Sequence, residues 1–177
     1  GNSLFGDLQA GTYSVGVVPP NGFEVTTKDA SSFLHAEYFA IGPVSELSQV
    51  DFDAAPIFEE ALTEVQFDVG RGSFYEGGLT DNFAVRAAGQ FIVETSGAYT
   101  FYLNSDDGSR MSINGTEVIE NDGLHAAVLR TVTLDLDAGS HDLELLYFER
   151  GGHAVLELDW QGPDSGGARV PMTFSGN

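Results

Sequence analysis

The chain has 177 residues, 42% of them hydrophobic, with 13 Phe, 6 Tyr and one Trp; this fills a sizeable core and excludes a disordered segment. Its 27 acidic residues against 7 basic ones give a formal net charge of −20, which repels nucleic-acid phosphates and anionic lipid and favours hard, oxygen-seeking cations. No cysteine is present, so disulfides, zinc–thiolate centres and thiol nucleophiles are excluded, and no apolar run reaches the roughly 20 residues of a membrane helix.

Gly1-Asn2 opens the chain without the basic, apolar and small-residue order of a signal peptide, as expected of a module within a longer protein. Residues 1–32 read differently from the rest. Two strand-like runs, 11–15 and 18–25, meet at Pro19-Pro20-Asn21-Gly22. They are expected to form either the closing hairpin of a preceding immunoglobulin-like repeat or an extra hairpin docked on the main domain, which covers 33–177. Residues 56–62 carry the one helical signal.

From Phe83 onward the pattern has period two. Phe83 and Val85 alternate with Ala84 and Arg86, and Phe91 and Val93 repeat the arrangement. Tyr99, Phe101 and Leu103 fall on one face, then Met111 and Ile113. Val132, Leu134 and Leu136 follow, then Leu143, Leu145 and Tyr147, then Leu156, Leu158 and Trp160. Such runs predict half-buried strands. Asn114-Gly115 is the favoured two-residue hairpin turn, and Ser96-Gly97 and Ala138-Gly139 mark other turns. The expected fold is all-β, an antiparallel sandwich or barrel. Trp160 shares its face with Leu156 and Leu158 and is expected in the core.

The stretch Asn104-Ser105-Asp106-Asp107-Gly108-Ser109-Arg110 lies between two such strands and is therefore a loop. Neighbouring side chains of a strand point to opposite faces, so two consecutive carboxylates converge on one ion only if the backbone leaves that geometry. A tight turn does so, and so does a cis peptide at about 3–4 kcal/mol, a cost that a bound dication offsets. The same residues also suit an ordinary turn in which aspartates cap backbone amides. An EF-hand is excluded by the missing alternation of Asp and Asn.

A second loop, Glu149-Arg150-Gly151-Gly152-His153-Ala154, has paired glycines that permit positive φ and leave carbonyl oxygens open. Calcium takes 6–8 oxygens, so two carboxylates plus carbonyls from this loop leave room for water or for vicinal sugar hydroxyls. The polar loop at 121–125 is placed to border that site through His125. Asp51 and Asp53 offer either a second calcium site or a solvated loop, and Arg110 is expected to pair with nearby acids. No Gly-x-Ser-x-Gly turn, phosphate-binding loop or His-Glu-x-x-His motif is present. Glycosidase carboxylates stand about 5–10 Å apart across a cleft, unlike adjacent residues of one turn. The expectation is a binding module, not an enzyme.

The runs 83–86, 96–110, 113–119 and 145–152, with His35-Ala36-Glu37-Tyr38-Phe39 upstream, strongly resemble the protective-antigen-fourteen domain family from about Phe33 to Trp160. The resemblance implies a β-sandwich of that family's lectin type. In its lectin branch the consecutive aspartates are joined by a cis peptide and hold calcium together with the glycan. Asp106 and Asp107 occupy those positions, and Arg150 to Ala154 the second loop. The implied metal ligands are Asp106, Asp107, Gly151, Gly152, His153 and Ala154. The implied sugar contacts are Asp106, Asp107, Arg150, Gly151 and His153, to which the bordering 121–125 loop adds His125 as an expected contact. The missing disulfides favour a bacterial repeat adhesin, outside the cell, meeting glycans of a host or neighbouring cell as a monomeric module without membrane insertion. The alternatives are a structural or protein-binding spacer and a non-catalytic module of a larger glycosidase.

Overall fold

The computed structural model describes residues 33–174. The two readings of residues 1–32 fall outside the described residues. Eleven strands follow in order: β1 (Leu34–Ala40), β2 (Phe58–Leu62), β3 (Gln66–Gly70), β4 (Phe83–Val93), β5 (Gly97–Asp106), β6 (Ser109–Ile113), β7 (Thr116–Asn121), β8 (Val128–Leu136), β9 (Gly139–Glu149), β10 (Ala154–Gln161) and β11 (Val170–Pro171). They build an antiparallel sandwich. One sheet runs β2-β1-β4-β9-β6-β7; the other runs β11-β10-β5-β8, with β3 beside β11 on the same edge of β10.

Period-two alternation decides what enters the core. Along β5, Tyr99, Phe101, Leu103 and Ser105 are buried while Thr100, Tyr102, Asn104 and Asp106 are not. Along β9, Leu143, Leu145 and Tyr147 face the same interior as Leu156 and Leu158 of β10. Trp160 joins that layer, stacked on Tyr99 at 5.3 Å between centroids and edge-on to Phe91. The β6–β7 hairpin turns at Asn114-Gly115, whose φ of 51° and 74° match the mirror-image turn that follows strand twist.

Residues 56–62 are a correction to the sequence reading. Phe58–Leu62 is not helical but an edge strand paired with β1, from Leu34 opposite Leu62 to Tyr38 opposite Phe58. A run this short cannot nucleate a helix by itself, whereas β1 supplies a ready ladder.

A smaller cluster lies on the outside of the six-stranded sheet. Phe39, Ala84 and Phe148 stand in one register row across β1, β4 and β9. Leu47, Ile41, Val44, Val50 and Phe52 cover them from a segment that includes a 3-10 turn at Leu47–Gln49. That cover holds Phe148 in place beneath the loop of paired aspartates.

Candidate functional site

Four connections cross between the sheets at one end of the sandwich: β3 to β4, β5 to β6, β7 to β8 and β9 to β10. Side chains that alternate into the core therefore become polar there. Ser105, Ser109, Asn121, Asp107 and Glu149 are all buried at this end. Ser105 and Ser109 share a hydrogen bond of 2.7 Å, and Asn121 Nδ2 donates to Ser105 Oγ and to the Val128 carbonyl at 2.9 Å each.

The Asp106–Asp107 peptide is cis. An oxygen from each of Asp106, Asp107 and Glu149 lies within 4.8 Å of the other two. Asp107 also binds both flanking loops. Its Oδ1 accepts the His125 amide at 3.2 Å, and its Oδ2 accepts the Arg150 amide at 3.1 Å. Asp107 thus caps backbone amides, as one reading of this turn expects, while its carboxylate stands close to that of Asp106.

Glu149 is fully buried at the inward end of β9. The Tyr147 hydroxyl donates to its Oε2 at 3.1 Å and to the Asp106 carbonyl at 2.6 Å. Glu149 Oε1 has no partner, nor does Asn121 Oδ1 in the same layer. Burial first, and then the Asp107 charge, push the Glu149 carboxyl up to about 7. Burial and the Asp107 charge raise Asp106 as well. Three carboxylates at such range repel one another, and an orphaned buried acceptor is costly. Both conditions are relieved by a hard dication with oxygen ligands, so the donor set fits calcium.

Glu149→Gln is accordingly expected to act in opposite directions. In chelator it raises the melting temperature, because a buried charge is removed; in calcium titrations it lowers affinity. For the calcium-free protein, a carboxyl raised from 4.5 to about 7 means that the unfolded chain ionises first. Stability is complete below the lower value and is lost as pH climbs through the higher one. The Gln variant lacks that slope, which thermal melts at stepped pH in chelator will test.

Gly108 has no space for a side chain. A Cβ there would collide with Phe148 Cε1 and come within 2.8 Å of Asp122 Oδ1 and 2.9 Å of Gly123 N. The second loop is braced from another direction. Gly152 (φ 128°) donates its amide to Asp81 Oδ1 at 3.1 Å, fixing the glycine pair against the β3–β4 connection.

The other expected residues fall as follows. Gly151, Gly152 and His153 form the second loop beside the carboxylates, and the side chains of Arg150 and His153 are exposed. Ala154 begins β10 with its side chain in the core and faces Gly70 of β3. His125 reaches the site through its backbone. Its ring nitrogens lie 2.9 Å from the Ala126 and Asn121 carbonyls, and the neutral imidazole donates to one of them. Asp51 Oδ1 caps the Asp53 amide at 3.1 Å, and Arg110 pairs with Glu117 at 3.4 Å. Sequence reasoning missed Glu149 and Asp81. The signal for Glu149 was parity: it continues the inward row Leu143, Leu145, Tyr147. Asp81 offers no such signal, since its partner is 71 residues away. A shallow depression of about 570 Å³ near Gly115, Ser112 and Gly89 lies by the turn at the other end of β6, remote from these carboxylates.

Comparison with known proteins places the chain. The profile of the PA14 domain matches residues 31–173. The chain belongs to the PA14 domain family. Among curated proteins, the anti-sigma-I factor RsgI3 of Acetivibrio thermocellus is 29% identical over 97 residues, which is 54% of this chain and 15% of that protein. An anti-sigma factor domain-containing protein from Clostridium clariflavum superimposes with a TM-score of 0.66 at 26% identity, covering 90% of this chain and 51% of the other. A PA14 sugar-binding domain from an RTX adhesin superimposes at 0.63 with 23% identity, covering 84% of this chain and all of that domain. This PA14 domain thus spans about half, or less, of its anti-sigma relatives.

Proposed function

We propose that this PA14 domain is a calcium-dependent lectin module. Asp106, Asp107 and Glu149 hold the ion, carbonyls of the Gly151–His153 loop add oxygens, and vicinal hydroxyls of a sugar complete the shell. The observation that carries this reading is the convergence of three carboxylate oxygens within 4.8 Å, one of the three residues being fully buried with an unpartnered oxygen. The sugar-binding PA14 domain of the RTX adhesin, similar over its whole length, supports the same reading. The exposed side chains of Arg150 and His153 are placed to select among sugars. The site is shallow, so affinity for one sugar is weak and multiplicity on a cell surface raises it. The setting that suits it is outside the cell, facing glycans.

Calcium is expected to raise the melting temperature, because a ligand held only by the native state stabilises it by mass action. At 100 times its Kd the gain is about 2.7 kcal/mol, which is roughly 5–10 °C for a domain of this size. Chelator reverses it. Glycan-array binding measured with calcium and with chelator tests the function itself; equal signals under both conditions reject it.

A second setting is favoured by the Clostridium clariflavum relative, whose likeness extends over 90% of this chain. In that setting the same sugar site serves a regulatory chain and not an adhesin. The sequence flanking this domain in its parent protein decides between them.

A further inference from the structure

The sandwich places a second set of polar side chains in line with the candidate ion site. The 122–127 connection enters β8 and the 150–153 connection enters β10, while β5 lies between those two strands. The gap between the loops therefore opens onto β5. Asp106 belongs to the outward row of that strand, followed by Asn104, Tyr102 and Thr100 at steps of about 6.6 Å. From Asp106 to Thr100 the row covers roughly 20 Å, the length of several linked pyranoses.

The row is held stiff by its neighbours. Asn104 Nδ2 donates to Glu157 Oε2 at 2.9 Å, the Tyr102 hydroxyl donates to Gln161 at 2.7 Å, and the hydroxyls of Thr100 and Thr133 are 2.8 Å apart. Arg169 lies over the Tyr102 ring at 4.4 Å and is fixed by Asp159 at 2.7 Å. On the β8 side, Thr131 stands opposite Tyr102 and Leu129 opposite Asn104, both exposed. Fixed hydroxyls, amides and a guanidinium beside an exposed apolar side chain are what a sugar chain requires, because little ordering remains to be done on binding.

The geometry points to an extended subsite: the outward row of β5 binds the internal units of a linear, neutral oligosaccharide whose end is held at the ion. This rests on the lectin reading of the Asp106–Asp107 site and deepens it from a single sugar to a chain. Continuity through Asp106 names the occupant, since whatever leaves the ion along this gap meets Asn104 next. Charge narrows it further. Glu157 and Asp159 flank the row within a chain of net charge −20, which disfavours uronate and sulfate groups along it.

The test is titration calorimetry in calcium, pairing methyl β-glucoside with cellotetraose, methyl β-galactoside with β-1,4-galactotetraose, and methyl α-mannoside with linear mannotetraose. For the pair that binds, the tetrasaccharide is expected to be about tenfold tighter or more, a difference of about 1.4 kcal/mol. Thr131→Arg, an exposed change that fills the row opposite Tyr102, and Tyr102→Ala should each bring that ratio close to one. A wild-type ratio near one overturns the extended subsite and leaves the ion site standing. So does a ratio that both variants leave intact. If no methyl glycoside and no tetrasaccharide binds in calcium, the lectin reading falls and the subsite with it.

Discussion

Asp107→Asn is expected to abolish calcium-dependent sugar binding while the chain still folds as a sandwich. The substitution keeps shape and one acceptor oxygen but replaces a carboxylate, the ligand that hard cations prefer, with a neutral amide. Changes in the outer shell of a metal site already cost roughly 10–100-fold in affinity. Loss of a direct ligand is therefore put at about 100-fold or more. Asp107→Ala is harsher, and its damage is of two kinds. It removes the ligand, and it also strips the acceptor from the His125 and Arg150 amides. A buried donor left without a partner costs about 1–3 kcal/mol. The Asn variant keeps an acceptor for one of these two amides and turns its NH2 toward the other, whereas the Ala variant loses both acceptors. Calorimetric calcium titration of chelator-stripped protein, with circular dichroism to verify folding, reads the difference. Wild-type calcium affinity in Asp107→Asn would remove this carboxylate from the site.

Gly108→Ala is expected to cost a large share of the stability of this domain. Phe148 is fully buried beneath Gly108 and cannot swing away, because Leu47 and its neighbours cover it from outside. The Gly123 amide is equally constrained. Asp122 Oδ1 accepts it at 2.7 Å and also accepts the Leu47 amide at 2.9 Å. Overpacking of this kind costs typically 1–3 kcal/mol, and here backbone and core are both obstructed, so about 3 kcal/mol is expected. Urea denaturation reads it directly, and calcium affinity should fall alongside, since the collision displaces the aspartate turn. A variant within about 0.5 kcal/mol of wild type would mean that the turn is looser than its contacts indicate.

Much of the sandwich was legible because its strands are half-buried, and burial writes itself into sequence with period two. Tyr99 to Leu103 and Leu143 to Tyr147 could be placed on the core face from alternation alone, and Asn114-Gly115 carries its turn in its own dihedrals. Residues 56–62 were misread because an edge strand has one neighbour and little burial to record; β2 exposes Phe58, Glu59 and Ala61, half-covers Glu60 and buries only Leu62. The aspartate pair was legible as a break of unusual charge, but the loop expected over 104–110 is only Asp107-Gly108, because β5 runs to Asp106 and β6 begins at Ser109. Glu149 was not recognised, although an acid at an inward parity position is a signal in its own right. Asp81 and the Leu47–Asp122 contact are tertiary brackets between distant parts of the chain, and no local pattern encodes them. His125 was expected at the border of the site, and the fold brings its backbone amide to Asp107 there.

The bracing of both loops has a practical outcome for altering what this domain recognises. Leu124, Ala126, Ala127, Arg150 and His153 project from backbone that Asp107, Asp122 and Asp81 anchor, yet each of these side chains is exposed. A combinatorial library confined to those five positions would vary the exposed tips of the two loops without disturbing the chassis below. If the proposed calcium-dependent lectin function holds, such a scaffold, free of cysteine, offers a route to tailored glycan reagents that are eluted gently with a chelating buffer.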